Sequence, residues 1–158
     1  MPDHSSLPSR PAHLPRLLQR ALQLTATEWV LLFVAIAELL RARVALLTFS
    51  MESLTATPSD TNAPAPQPLQ LARATRISWA IQSAAARVPW RSDCLVQALA
   101  AKRWLTREQI PSQLNLGVRV NASNIIEAHA WLRCDSVVVT GGNIDDYVTL
   151  VQSGTRSS

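Results

Sequence analysis

Apolar side chains recur at helical spacing through the first two thirds of the chain and at every second position in the last third. Trp29, Leu32, Phe33, Ile36, Leu40, Val44 and Leu47 fall at spacings of three and four, which predicts a helix from about residue 26 to 48. Val30, Leu31 and Val34 widen this stripe until the first half of the helix is apolar nearly all round. Thr25-Ala26-Thr27-Glu28 precedes it with capping-box spacing. There the threonine hydroxyl accepts from the third helical amide while the glutamate reaches back. A second helix is expected over Leu69–Val88, with Leu71, Ile77, Ile81 and Ala85 on one side and Pro89 as its stop. Ser92 or Asp93 is a natural cap for a third, running to about Leu105. The period then falls to two. Leu114, Leu116, Val118 and Val120 share one face of a strand over 113–120. A second strand over Ala128–Cys134 sets His129, Trp131 and Arg133 opposite Ala130, Leu132 and Cys134. Asp135-Ser136 reads as a turn, Val137–Thr140 as a third strand and Tyr147–Val151 as a fourth. Helices followed by an antiparallel meander give an α+β fold.

Proline marks the divisions. Residues 1–16 hold four prolines and no continuous apolar stretch; they read as a flexible leader, since a secretory signal needs an apolar core. Residues 17–54 form an apolar N-terminal helical region. Residues 55–68 hold four prolines and no large apolar side chain, the composition of a polyproline-like linker. Residues 69–151 then form the main domain, and 152–158 a disordered tail. A membrane span needs about 20 apolar residues, whereas Trp29–Ala37 is the longest uncharged run in the helix, and Glu38, Arg41 and Arg43 follow it. Each such charge costs about 2.5–3.5 kcal/mol at a bilayer centre, so a buried or partner-docking helix is expected and membrane-surface contact is not.

Composition narrows the chemistry. Among 158 residues 47% are apolar and 16% charged, which excludes a chain disordered throughout. Fourteen arginines and Lys102 against eleven carboxylates give a net charge of +4, and the whole excess lies after residue 69. Basic runs interleaved with aromatics are missing, so no nucleic-acid partner is expected. Two cysteines exclude a small disulfide scaffold; free thiols in the reducing cytoplasm are expected. A zinc site is not, because two cysteines and one domain histidine offer no closely spaced ligand pair. No other cofactor is implied.

The two thiols differ in setting. Cys94 falls in the first turn of its helix, where free amides and the macrodipole favour a thiolate. It shares a stripe with Ala98, Ala101 and Leu105, so it also fits a small core position. Cys134 ends a strand with no such activation. A nucleophilic thiol needs a base within hydrogen-bond reach and a group that orients the base. His129 is the candidate base, since His4 and His13 lie in the proline-rich leader.

Pro89-Trp90-Arg91-Ser92-Asp93-Cys94-Leu95-Val96-Gln97-Ala98-Leu99-Ala100, Gln109-Ile110-Pro111, Leu116-Gly117-Val118 and Ala128-His129-Ala130-Trp131 together resemble the lasso peptide leader peptidases of the transglutaminase-like superfamily. The resemblance covers about residues 70–151. It implies a papain-like cysteine protease core that removes the leader of a ribosomally made lasso precursor, freeing the core amine for a separate, asparagine-synthetase-like cyclase. Cys94 would be the nucleophile and His129 the general base. In this family an aspartate on the strand after the histidine completes the triad. Here Asp135 sits in the turn. A two-residue turn pairs Cys134 with Val137 and His129 with Gly142, and one more residue brings His129 to Asn143. The expected third member is therefore Asn143 or Asp145. Residues 1–69 show no strand pattern, so the leader-recognition module is expected to be a separate partner protein. Two other readings use the same residues: a non-catalytic peptide-binding scaffold docked through its first helix, and thiol acyl transfer to an amine.

Overall fold

The computed structural model of the chain describes residues 24–48 and 65–152; the expectations for the leader, most of the linker and all but the first residue of the tail lie outside these. Three helices, α1 (Ala26–Thr48), α2 (Pro68–Ala85) and α3 (Cys94–Arg107), precede four strands, β1 (Gln113–Val120), β2 (Ile126–Cys134), β3 (Val137–Thr140) and β4 (Val148–Gln152). The strands form one antiparallel sheet in the order β3-β2-β1-β4. The fold is α+β, with helices packed on the sheet. It departs from the expected meander in one connection: β4 passes to the far edge and pairs with β1 instead of β3.

The capping box forms as the sequence demands. Thr25 donates its amide to Glu28 Oε2 at 2.7 Å, and the Glu28 amide donates to Thr25 Oγ1 at 3.3 Å. These bonds, the backbone one foremost, hold the Glu28 carboxyl below the ordinary carboxylate range. Behind the box, α1 packs on both α2 and α3. Its inward face is Leu31, Ala35, Glu38, Leu39 and Ala42. The expected stripe faces outward instead: Phe33 is 65% exposed and Leu47 74%, with Trp29, Ile36, Leu40 and Val44 exposed beside them. A helix that is apolar nearly all round has no polar side to choose its orientation, so close packing chooses it. Ala35 and Ala42 let the α1 backbone approach its neighbours, which themselves bury Ala74, Ala80 and Ala84 in α2 and Ala98, Ala100 and Ala101 in α3. Among the described residues no helix is long and apolar enough to cross a membrane.

One carboxylate lies inside this packing. Glu38 is fully buried and faces three guanidinium groups: Arg41 at 3.0 Å, Arg103 of α3 at 3.3 Å, and Arg107 of α3 in a close contact. Burying an ionised carboxylate alone costs several kcal/mol. Here Oε1 accepts from Arg41 and Arg107, while Oε2 lies in ion-pair range of Arg103 without a hydrogen bond, and these partners tie α1 to α3 by charge as well as shape. A second pair, Arg73 on Glu108, joins α2 to the end of α3 through two hydrogen bonds of 2.7 Å.

On the sheet, Leu114, Ala130, Leu132, Cys134 and Val139 belong to the core shared with the helices. α2 reaches β3 through Ser78, whose hydroxyl donates to the Val139 carbonyl. Lys102, buried and with its ammonium pushed below the ordinary lysine range by that burial, donates to the Ser112 carbonyl at 3.1 Å, fixing the entry into β1.

This packing separates two large apolar side chains on α1. Leu39→Ala is expected to lower unfolding free energy by about 2–5 kcal/mol, whereas Phe33→Ser on the outer stripe stays within about 0.5 kcal/mol of the parent. Urea unfolding of the full chain measures both; equal losses would contradict the orientation of α1.

Candidate active site

Cys94 is the first residue of α3. Asp93 occupies the cap position in extended conformation and makes no side-chain capping bond. The first amides of the helix are thus left free of a side-chain cap at the thiol end. Cys94 is half-buried and packs against the edge of the core. Two buried donors without a hydrogen-bond partner among the described residues, Trp90 Nε1 and Ser92 Oγ, lie in the loop just before it. Cys134 is fully buried, and burial first, then the nearby Asp135 charge, push its thiol above the ordinary range.

His129 lies in β2 opposite Gly117 of β1. The alternation along β2 sends Ala130, Leu132 and Cys134 to the helix-covered face and His129 and Trp131 to the other. On that second face Tyr147 lies 4.8 Å from the imidazole, centroid to centroid, and Trp131 stands 6.2 Å from both rings. Arg119 stacks over Tyr147 at 4.9 Å and bonds Glu127 at 2.8 Å. Asn121 and Arg119, in that order, hold the Glu127 carboxyl below its ordinary range. Trp131 is almost completely buried here without belonging to the main core. It fits because position 117 is glycine: a Cβ there would stand 2.7 Å from Trp131 Cη2 and 2.6 Å from the Val148 carbonyl oxygen.

The third position differs from expectation in its contacts. Cys134 pairs with Val137, as a two-residue turn requires, but the ladder shifts between Leu132 and Arg133, so Leu132 meets Thr140. Continued, that register would set His129 opposite Asn143, but the ladder ends at Thr140, and the group that reaches the imidazole is the main-chain carbonyl of Gly141, 2.7 Å from His129 Nε2. Asn143 and Asp145 are exposed, and Asn143 Oδ1 accepts from the Asp145 amide at 2.9 Å. Sequence reading passed over Gly141 and Tyr147. The available signal for the first was the Gly141-Gly142 pair, whose φ angles of 111° and 64° suit glycine. Among the described residues no hydrogen bond joins Cys94 to His129, and no group of three or more ligand-type side chains is placed to hold a metal. A cleft of about 270 Å³ between α1 and α2, lined by Glu28, Leu31, Thr75, Arg76 and Trp79, includes neither residue.

Residues 36–152, well over half the chain, match the transglutaminase-like superfamily, and the chain belongs to it. The match begins within α1 and spans all four strands. That superfamily includes cysteine peptidases and transglutaminases. No curated protein and no solved structure matches the chain.

The two thiols are expected to separate by accessibility. Iodoacetamide near neutral pH should consume Cys94 in the native protein and leave Cys134 unlabelled until denaturant is added; peptide mass spectrometry reads both. Cys134 also gives stability a pH dependence. Its unfolded thiol ionises at lower pH than its folded one, so its contribution is intact below the ordinary thiol range and is lost as pH rises through it. Cys134→Ala should flatten that alkaline decline in urea titrations.

Proposed function

We propose that the chain is a cysteine peptidase that cleaves the leader from a lasso peptide precursor. The reading rests on Cys94 standing as the first residue of α3, half-accessible and without a side-chain cap, in a member of a superfamily that contains thiol hydrolases and acyl transferases. The sequence around it, with Ala128-His129-Ala130-Trp131 on β2, adds the resemblance to leader peptidases. In this chemistry Cys94 Sγ adds to the scissile carbonyl and its proton passes to His129. The imidazolium then returns that proton to the leaving amine, which is the core peptide's new N-terminus. Water hydrolyses the remaining thioester, and the leader departs as a carboxylate. The freed amine is the nucleophile that a separate ATP-dependent cyclase consumes. A small leader-recognition protein would deliver the precursor.

The second reading is a peptide-holding scaffold with no reaction of its own. It is favoured by the position of His129 on the sheet face away from the core and by the lack of a bond to Cys94. The sequence around Cys94 and His129, which resembles the leader peptidases, within a transglutaminase-like domain, keeps the peptidase reading ahead.

Cleavage of a lasso precursor supplied with its leader-binding protein separates the two. His129→Ala should slow cleavage by about 10²–10⁴-fold and Cys94→Ala should abolish it, with both variants still folded by circular dichroism. Full cleavage by Cys94→Ala would refute the proposal, and a wild-type protein that binds the precursor without cutting it would establish the scaffold.

A further inference from the structure

We infer that the main-chain carbonyl of Gly141 is the positioning group for His129, in place of any side-chain third member, and that it fixes the imidazole in the tautomer with the proton on Nε2. A carbonyl oxygen only accepts, so at 2.7 Å His129 Nε2 must be the donor. In the neutral ring the other nitrogen, Nδ1, then carries the lone pair and is the atom able to take a proton. This assignment follows from the identity of the partner atom alone.

The carbonyl is held by its surroundings. Gly141 has φ 111°, a conformation L side chains rarely adopt. A Cβ at that position would run into Trp131 Cβ and stand 3.0 Å from its Cα and 3.3 Å from the Ala130 carbonyl oxygen. Position 141 is thus filled by Trp131, the neighbour of His129 on the same face of β2. The β2–β3 ladder ends with Thr140, so the Gly141 carbonyl lies just past it and is free to meet the ring. Tyr147, 4.8 Å away, backs the same ring. Of the two expected side chains, Asn143 Oδ1 is taken up by the Asp145 main-chain amide, and both residues are exposed.

The tautomer is independent of the peptidase reading; the role of Nδ1 as the base rests on it. The test is long-range ¹H–¹⁵N NMR of the full chain with labelled histidine, at a pH where the ring is neutral. The expected result is the Nε2–H pattern for His129 in the wild type. Gly141→Ala should convert it to a rapid average of both tautomers, while Asn143→Ala and Asp145→Ala keep the wild-type pattern, because neither side chain is hydrogen-bonded to the ring. An Nδ1–H pattern or an average in the wild type overturns the inference even if Gly141→Ala does not fold. Loss of the pattern in Asn143→Ala or Asp145→Ala overturns it in favour of a side-chain partner. If the Nε2–H pattern is found and the wild type cleaves no precursor, the positioning stands and the peptidase reading falls. If it does cleave, Asn143→Ala and Asp145→Ala should retain that cleavage.

Discussion

The enclosure of α3 between the other helices and the sheet is the constraint on which the arrangement depends. Val96, Ala98, Ala100, Ala101, Trp104 and Leu105 of this helix are all buried. Burial at positions that close together means contact on more than one side, against α1 and α2 and against β2. Only small side chains allow a helix to be approached that closely from two directions. The consequence is that the first residue of α3, Cys94, has its place set by the packing of the whole helix and not by a loop. Glu38 sharpens the same fit. A fully buried carboxylate is tolerable only where positive charge meets it, and Arg103 and Arg107 do so only when α1 and α3 hold their present register. Their own side chains stay more than half exposed, so the cost of desolvation falls mainly on the carboxylate.

The sheet carries a second layer of order on its other face. Trp131 acts there as a wedge, filling the space that glycine leaves at positions 117 and 141. Around it stand His129, Tyr147 and Arg119, with Glu127 completing a charged border. The helix-covered face holds the core, while this face holds the ring whose proton position matters. The two candidate residues are thus positioned by different halves of the packing, Cys94 by α3 and His129 by the Trp131 wedge.

Much of this is written locally in the sequence. Period-two alternation located β1 and β2, Asp135-Ser136 their exit turn, and the Thr25-Glu28 box the start of α1, because each depends on neighbours a few residues away. What was not legible depends on distant partners. The outward turn of the Trp29–Leu47 stripe follows from Ala35 and Ala42 meeting alanines on α2 and α3, partners that the pattern within α1 does not name. The passage of β4 to the β1 edge is a matter of topology, which five residues of alternation do not encode. The contact of His129 with Gly141 was not legible for a related reason: counting along a ladder looks for a side chain opposite, whereas the ladder ends at Thr140 and the imidazole meets a backbone oxygen just past it. The thiol and the histidine themselves were legible as residue types in place, since one opens a helix and the other lies on the strand next to a tryptophan.

The proposed peptidase requires that Cys94 and His129 work as a pair although they arise from separately packed parts. The most direct measurement is the rate of Cys94 alkylation at about pH 7 in the wild type and in His129→Ala. A working pair predicts that the substitution slows alkylation by roughly tenfold or more, since an unassisted thiol is only a few per cent ionised at that pH. An unchanged rate would show that the histidine does not act on the thiol and would contradict the account.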